Sequence, residues 1–228
     1  QRGFRKMAIC EFTYKLGKVE RGYNNRTLYI NLSDMKIASK PVSEEMREKF
    51  TGGRGFDLWL LWTSLPMNRV VKWDDPENEI CIAGGPLGGT PVYPGSGKSI
   101  AVTISPLTDT VVDSNEGGYF GPYLKFAGWD ALEVQGKPKS EGVMLIDGDK
   151  GKVLIEDAST PSSETHLITD WMAKRYAEEN NQSISVVSSG PGAEHTRFGC
   201  LNSSWFDPGR KMHRFKQAGR GGIGTVLR

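Results

Sequence analysis

Residues 113–121 read DSNEGGYFG and lead directly into PYLKFAGWD. This stretch predicts a polar turn that opens a helix over 119–127, which Gly128 terminates. Adjacent glycines let a backbone approach a ligand closely, and the free N–H groups at the start of a helix favour anions. A second glycine cluster, AGRGGIG at 218–224, follows the basic segment 210–220. Together the two clusters predict a site for an anionic ligand.

The length and composition of the chain fit a globular protein. Its 228 residues suit one large domain or two small ones, and no apolar run reaches the roughly 18 residues of a membrane helix. A net charge of +2 argues against a nucleic-acid-binding protein. Cys10, Cys81 and Cys200 form no C-x-x-C pair, which indicates a reducing compartment and therefore a cytoplasmic location. We expect Cys81, in the apolar run EICIAGG, to be a core thiol.

Strand patterns dominate the chain, and helices interrupt them singly. This order predicts an α+β fold that is β-rich, with largely antiparallel sheets and a few inserted helices. The predicted helices begin after Ser43, at 56, at 119 and at 163, and the last runs to 180 with an apolar stripe that we expect in the core: Leu167, Ile168, Trp171, Met172 and Tyr176. The predicted strands are 27–32, 35–42, 80–83, 99–105, 110–113, 131–134, 143–147, 152–156 and 183–188, with a hairpin turn at 148–151.

Two segments resemble nucleotide-binding motifs, but the residues and predicted elements around them do not match those that the motifs require. Ser96-Gly97-Lys98-Ser99 resembles the end of a P-loop. Val92, however, occupies the position of the motif's first glycine, and a strand is predicted to follow in place of a helix. The sequence at 219–224 matches G-x-G-x-x-G, but a basic loop is predicted before it and the acidic residue of a dinucleotide fold is missing. A polar glycine turn, a lysine turn and a basic glycine segment remain. These three features could together bind a multi-phosphate or other anionic ligand. The alternative is that the glycines form turns that bind no ligand.

Over residues 22–226 the chain resembles the N-terminal domain of tungsten-containing aldehyde:ferredoxin oxidoreductases. The segments that carry the resemblance, in chain order, are RGYNNRTLYINLSD, FTGGRGFDLWLL, DPENEICIAGGPL, SPLTDTVVDSNEGGYFGPYLKFAGWDALEVQGK, ISVVSSGPGAEHT and QAGRGGIGTV. The resemblance implies that residues 23–228 form this domain and that residues 1–22 are an N-terminal extension.

The resemblance implies a base for a tungsten (or molybdenum) bis-pterin cofactor, whose phosphates share a magnesium ion. By position, Asn115 and Gln217 would bind magnesium through their backbone carbonyls, and the Gly117 N–H would contact the cofactor. Gly219 and Arg220 match the family's pterin contacts. Lys98 and Lys216 stand where the family often has arginine, so they keep the charge but lose the bidentate fork.

The resemblance assigns no catalytic residue to this chain. The family's 4Fe-4S cluster and catalytic groups belong to later domains, so we expect the remaining domains or a partner subunit to supply them. A ferredoxin-like carrier would accept the electrons, and the protein would be oligomeric.

The implied reaction is oxidation of an aldehyde to a carboxylic acid, with two electrons passed to an iron–sulfur carrier. Two alternatives stay open at this point. One is a component of a tungsten-dependent aromatic acyl-CoA reductase. The other is a cofactor-free scaffold subunit, which could use residues 1–22 or the stretch around Trp59 and Trp62 as its interface, although we expect those tryptophans in the core.

Overall fold

The computed structural model describes residues 8–157, 160, 162–177 and 183–228. Within these residues the chain forms twelve strands in three sheets and five α-helices, in agreement with the predicted α+β fold. The strands are β1 Cys10–Thr13, β2 Arg26–Asn31, β3 Lys36–Pro41, β4 Glu79–Ala83, β5 Ser99–Ile104, β6 Val111–Glu116, β7 Ala131–Gln135, β8 Gly142–Asp147, β9 Lys152–Asp157, β10 Val187–Ser188, β11 Leu201–Asp207 and β12 Met212–Ala218. The helices are α1 Glu44–Lys49, α2 Arg54–Ser64, α3 Phe120–Phe126, α4 Thr165–Tyr176 and α5 Ile223–Leu227.

A six-stranded sheet organises the molecule, in the order β3-β2-β7-β4-β5-β6. Of its strand pairs, β2–β7 is parallel and the others are antiparallel. Strand β6 forms one edge of this sheet. Its edge position leaves backbone groups on its outer side without a strand partner, which matters for the site described below.

Two smaller sheets flank the large one. Strands β8 and β9 form the predicted hairpin, and β1 pairs with β9 at its other edge. The sequence showed no strand pattern at 10–13, so β1 was not predicted. The third sheet, β10-β11-β12, consists mainly of a long antiparallel hairpin, and its edge strand β12 carries most of the basic segment. Asp207 stabilises the hairpin turn because one carboxylate oxygen accepts the N–H groups of Gly209 and Arg210.

The apolar side chains collect on both faces of the large sheet. Helix α2 packs against one face, where Cys81 is fully buried as predicted. Helix α5 lies on the opposite face, where Ile223 is fully buried beside Ala101. The expectation for the tryptophans was half right: Trp59 is partly buried, but Trp62 is 62% exposed.

The helix boundaries follow their local chemistry. Ser43 caps α1, because its Oγ accepts the backbone N–H of Met46 at 3.1 Å. Helix α3 ends just before Gly128, which has φ +91° and so adopts the left-handed conformation expected of a C-terminal glycine. Both of these predictions are confirmed.

Three local predictions are wrong. Residues 113–116 belong to β6 rather than to a turn, because Ser114 and Glu116 alternate inward while Asn115 faces outward. Of the strand predicted at 183–188, only Val187–Ser188 pairs within the described residues. In α4 the buried residues are Thr169 and Ala173, while Leu167 of the predicted apolar stripe is 53% exposed. The predicted end of that helix, at 180, lies outside the described residues.

A row of buried acidic groups lies between α2 and the sheet. Glu133 is opposite Cys81 in the strand register, accepts a hydrogen bond from Thr27 and forms an ion pair with Lys40. Glu79 forms no ion pair with any of the described residues, and its Oε2 accepts a hydrogen bond from the Cys81 Sγ at 3.7 Å. Burial, reinforced by the charge of Glu133, raises the pKa of Glu79 from 4.5 to about 7.

We predict that Glu79→Gln removes part of the pH dependence of stability. Because the folded state raises the pKa of Glu79, the neutral carboxyl is favoured in the folded protein. Its contribution is complete below about pH 4.5 and is lost as the pH rises through about 7. Urea unfolding at pH 5 and pH 8 should show wild-type stability falling by about 2 kcal/mol more than that of the variant. Equal pH dependence in the two proteins would contradict this assignment.

Candidate anion-binding site

Two strand edges from different sheets meet beside the glycine turn. Strands β6 and β12 lie next to each other without pairing, because each is the edge of its own sheet. The sequence-predicted residues Lys98, Asn115, Gly117, Lys216 and Gln217 gather here, and we call the surface they form the cradle. Gly219 and Arg220, immediately after β12, adjoin it through a hydrogen bond from the Arg220 N–H to the Ser114 Oγ at 3.2 Å.

The backbone of Asn115 faces the free edge of β6. The Ser105 N–H donates to the Thr110 carbonyl at 2.9 Å, which identifies that pair as hydrogen-bonded in the β5–β6 register. Hydrogen-bonded and non-hydrogen-bonded pairs alternate in an antiparallel ladder. The Ile100–Asn115 pair lies five positions from Ser105–Thr110 in the register, an odd number, so it is not hydrogen-bonded. The N–H and C=O of Asn115 therefore point away from β5, towards the cradle.

The backbone carbonyl of Gln217 likewise faces away from its own hairpin. The Ser204 N–H donates to the Val186 carbonyl at 2.9 Å, on the side of β11 that faces β10. The Ser204–Phe215 pair is therefore not hydrogen-bonded within the hairpin, and by alternation neither is Asn202–Gln217. The carbonyl of Gln217 points away from β11, so two outward-facing carbonyls flank the cradle.

Two lysines converge on the bare backbone of Gly117. A Cβ atom added at Gly117 would lie 3.1 Å from the Lys216 Cβ and 3.3 Å from the Lys98 Nζ. Lys98 immediately precedes β5 and Lys216 lies near the end of β12, and both side chains are exposed. Lys216 therefore packs against Gly117 through its Cβ and Cγ atoms, and the Lys98 ammonium group lies beside the same glycine.

The turn after Gly117 is held closely against the β11–β12 hairpin. Gly118 has φ +81°, and a Cβ there would lie 2.8 Å from the Ser203 Oγ and 3.1 Å from two backbone oxygens. The Tyr119 N–H donates to the Ser204 carbonyl at 3.3 Å. Glycine is needed at 118 for both reasons, its backbone conformation and the close approach.

The loop at 219–222 is fixed against the far face of β6. The Ser105 Oγ donates to the Gly221 carbonyl at 2.8 Å. Gly222 has φ +72°, and a Cβ there would lie 2.1 Å from the Arg197 carbonyl oxygen. The Arg220 side chain itself is exposed beside the cradle. The loop thus has a backbone fixed by these contacts and carries an exposed cation.

The two nucleotide motifs fail as predicted, but one reason changes. Strand β5 does follow Lys98 directly, in place of the helix of a P-loop. The sequence at 219–224, however, follows a strand, β12, and not a basic loop, and it precedes the short helix α5. Strand β12 belongs to an antiparallel hairpin rather than to a parallel βαβ unit, so the dinucleotide arrangement is still not formed.

The carboxyl group of Glu116, whose pKa is raised by burial, lies directly beneath the cradle. Glu116 is fully buried, and its Oε2 accepts a hydrogen bond from the Ser99 Oγ at 3.2 Å. Burial raises its pKa from 4.5 to about 7. Because the exposed charges of Lys98, Lys216 and Arg220 are all positive, the cradle attracts anions.

A groove of about 510 Å³ borders the cradle at Gln217, within the size range of small-molecule sites. It runs between the start of α4 and the outer part of β12. Its other lining residues are Glu164, Thr165, His166, Gly190, Pro191, Asn202, Met212, His213, Arg214 and Phe215. Gln217 therefore contributes to both surfaces.

Sequence reasoning missed Ser114, which accepts a hydrogen bond from the Arg220 N–H, and Ser203, which packs against Gly118. Ser114 sits between two residues of the predicted turn, and because residues 113–116 are all polar, no alternation in the sequence could have identified it. Among the described residues, no group of three or more histidine, cysteine or acidic side chains is arranged to hold a metal ion. A metal at the cradle would thus depend on backbone oxygens.

The profile of the aldehyde ferredoxin oxidoreductase N-terminal domain matches residues 27–228. The chain is 36% identical over 207 residues to the tungsten-containing aldehyde ferredoxin oxidoreductase of Pyrococcus horikoshii, covering 90% of this chain and 32% of the relative. It is 38% identical over 220 residues to the WOR-like subunit of an aliphatic sulfonate oxidoreductase of Pyrococcus furiosus, with 90% and 32% coverage. The chain spans about a third of the length of these relatives.

Among solved structures, the chain resembles one in the active-site complex BamBC of benzoyl-coenzyme A reductase in complex with 1,5-dienoyl-CoA. The TM-score is 0.76 at 28% identity, and the match covers 90% of this chain and 29% of the other. The described part of the chain contains no helix long and apolar enough to cross a membrane.

We predict that Gly117→Ala and Gly118→Ala differ sharply in stability. Gly118→Ala forces a positive φ and a contact with backbone oxygens, so it should lower the free energy of unfolding by about 1–3 kcal/mol. Gly117→Ala needs no positive φ but must displace Lys216, whose Cγ would lie 3.0 Å from the new Cβ, so it should lower the free energy of unfolding by only about 1 kcal/mol. Urea unfolding of both variants checks this, and the opposite ranking would contradict the described turn.

Proposed function

The chain belongs to the aldehyde ferredoxin oxidoreductase family, and from that membership we propose that it is the cofactor-binding part of a tungsten (or molybdenum) bis-pterin oxidoreductase. The observation that carries the proposal is the cradle, where two lysines contact Gly117 and the carbonyls of Asn115 and Gln217 face away from their own sheets. The substrates named for the relatives differ, so this part of the chain does not select one.

In the proposed site, the backbone carbonyls of Asn115 and Gln217 bind a magnesium ion. Magnesium prefers hard oxygen ligands and usually joins a few protein oxygens to substrate or cofactor phosphates. The outward orientation of both carbonyls supports this role, since neither is used by its own sheet. A backbone ligand also explains why a glutamine side chain is acceptable at position 217.

Lys98, Lys216 and the Gly117 N–H hold the cofactor's phosphates in this proposal. Each lysine acts as a point charge, whereas an arginine would offer a planar fork. Gly219 and Arg220 contact a pterin, and the hydrogen bond from Arg220 to Ser114 fixes the approach of that loop. The residues therefore bind and orient the cofactor, and none of them reacts.

When bound, the metal cofactor would supply the two-electron exchange with the substrate. We propose oxidation of an aldehyde to a carboxylic acid, with the electrons leaving through a 4Fe-4S cluster to a ferredoxin-like carrier. The remaining domains or a partner subunit would contribute that cluster and the catalytic groups. A cytoplasmic, oligomeric enzyme fits the same proposal.

A second candidate is a component of a tungsten-dependent aromatic acyl-CoA reductase. The structural similarity to a chain of the benzoyl-coenzyme A reductase complex favours it. Both candidates use the same cradle, so assays of the purified enzyme with an aromatic aldehyde and with an aromatic acyl-CoA distinguish them.

The first test is elemental and pterin analysis of the complete purified enzyme. We expect about two pterins and one tungsten or molybdenum atom per copy of this domain, with magnesium present. The metals are measured by mass spectrometry and the pterins by fluorescence after oxidative release. An active preparation with neither metal and no pterin would contradict the proposed function, and a folded, inactive one would favour a cofactor-free scaffold.

We predict that the double substitution Lys98→Met and Lys216→Met lowers the pterin content of the purified enzyme at least threefold. The reason is the loss of two charges that would neutralise phosphate, since both side chains adjoin Gly117. Lys211→Met, at the exposed turn of the same hairpin, is the matched control and should keep the wild-type pterin content. Equal content in all three proteins would refute the role of the two lysines.

A further inference from the structure

Strand β6 is flanked by an arginine on each face. Residues Asp113 and Asn115 share one face of the strand, and Ser114 lies on the other. Arg220 anchors its backbone to Ser114. Arg54, in the first turn of α2, forms an ion pair with Asp113, with Nη2 2.7 Å from Oδ2. The sequence did not single out Arg54, because nothing in FTGGRGFD shows that it meets β6.

The start of α2 lies close to the cradle. Gly53 precedes Arg54, and a Cβ added there would be 3.9 Å from Ile100, the residue opposite Asn115 in the register. Asp113 and Asn115 are two positions apart along an extended strand, roughly 7 Å. The Arg54 guanidinium is thus held on the Asn115 face of the same strand edge.

The Arg54 guanidinium has unused hydrogen-bonding capacity. Its side chain is 56% exposed, and within the described part of the chain its hydrogen bond to Asp113 uses one of five N–H donors. An exposed ion pair of this kind contributes little to stability, about 0–1 kcal/mol. Lys98 and Lys216 supply charge to the cradle but no planar fork, which is the donor geometry that best matches phosphate oxygens.

We propose that Arg54 is a further binding residue of the cradle, which donates to a phosphate group of the bound cofactor from the face of β6 opposite Arg220. Arg54 keeps its bond to Asp113 and uses its remaining N–H groups for the phosphate. Arg54 provides the bidentate contact that the two lysines lack, and this contact does not depend on the charge of Asp113. This inference rests on the proposed function, because it concerns the ligand of the same site.

The test compares two variants of the complete enzyme that break the same ion pair. Arg54→Met removes the proposed phosphate donor. Asp113→Asn removes only the negative charge of the ion pair and leaves Arg54 in place. Arg47→Met, an exposed arginine on the neighbouring helix α1, is the control for loss of one positive charge. The readouts are pterin and phosphorus per polypeptide after gel filtration in phosphate-free buffer, together with the thermal unfolding midpoint.

If Arg54 binds the cofactor, Arg54→Met lowers the pterin content at least threefold, while Asp113→Asn and Arg47→Met keep it. The unfolding midpoints of Arg54→Met and Asp113→Asn should then match when both proteins are stripped of cofactor. Equal pterin loss in these two variants would mean that the pair is only structural, and unchanged pterin in all three would exclude a contact. Either result overturns the inference.

Two further outcomes are also decisive. If Arg54→Met lowers the phosphorus content per polypeptide but not the pterin content, Arg54 binds free phosphate. That result overturns the assignment of Arg54 to the cofactor. A wild-type enzyme without pterin would overturn the proposed function and this inference together. Loss of pterin in Arg54→Met alone, with a pterin-containing wild type, leaves the proposed function intact and supports the role of Arg54.

Discussion

The contact of the Gly117–Gly118 turn with the β11–β12 hairpin is the constraint on which the site depends. Gly118 lies against Ser203 and Ser204 so closely that no side chain fits, and Gly117 packs against the Lys216 side chain. Together with the hydrogen bond from the Arg220 N–H to the Ser114 Oγ, this contact joins the edges of two separate sheets. Because they meet, backbone oxygens and cations from residues a hundred positions apart face one small region.

The site is built largely from backbone that the sheets do not use. Strand edges are usually protected from further pairing, since free N–H and C=O groups attract other strands. Here the free edges of β6 and β12 face each other, and the alternation of hydrogen bonds turns the carbonyls of Asn115 and Gln217 outwards. Positive side chains on either side make this edge suited to an anionic, metal-bearing ligand. Backbone ligands also explain why the site leaves few signs in the side-chain pattern.

Caps, helix ends and turns that depend on neighbouring residues predicted much of the fold. The sequence also indicated the segments that form the cradle. The cap at Ser43, the stop at Gly128 and the β8–β9 hairpin each depend on neighbouring residues, and each is confirmed. Long-range contacts were not predictable from one sequence. Glycines at 117 and 118 favoured a turn and concealed the strand at 113–116, whose inward residues Ser114 and Glu116 are polar. The ion pair of Arg54 with Asp113, 59 positions apart, left no local pattern.

The most direct measurement is a cryo-EM map of the complete enzyme, purified without oxygen. The account predicts density for two pterins at the edge of β6, with phosphate beside the Lys98 and Lys216 ammonium groups. It also predicts a metal between the Asn115 and Gln217 carbonyls. A well-resolved map with cofactor density elsewhere, and with water alone between these carbonyls, would contradict it.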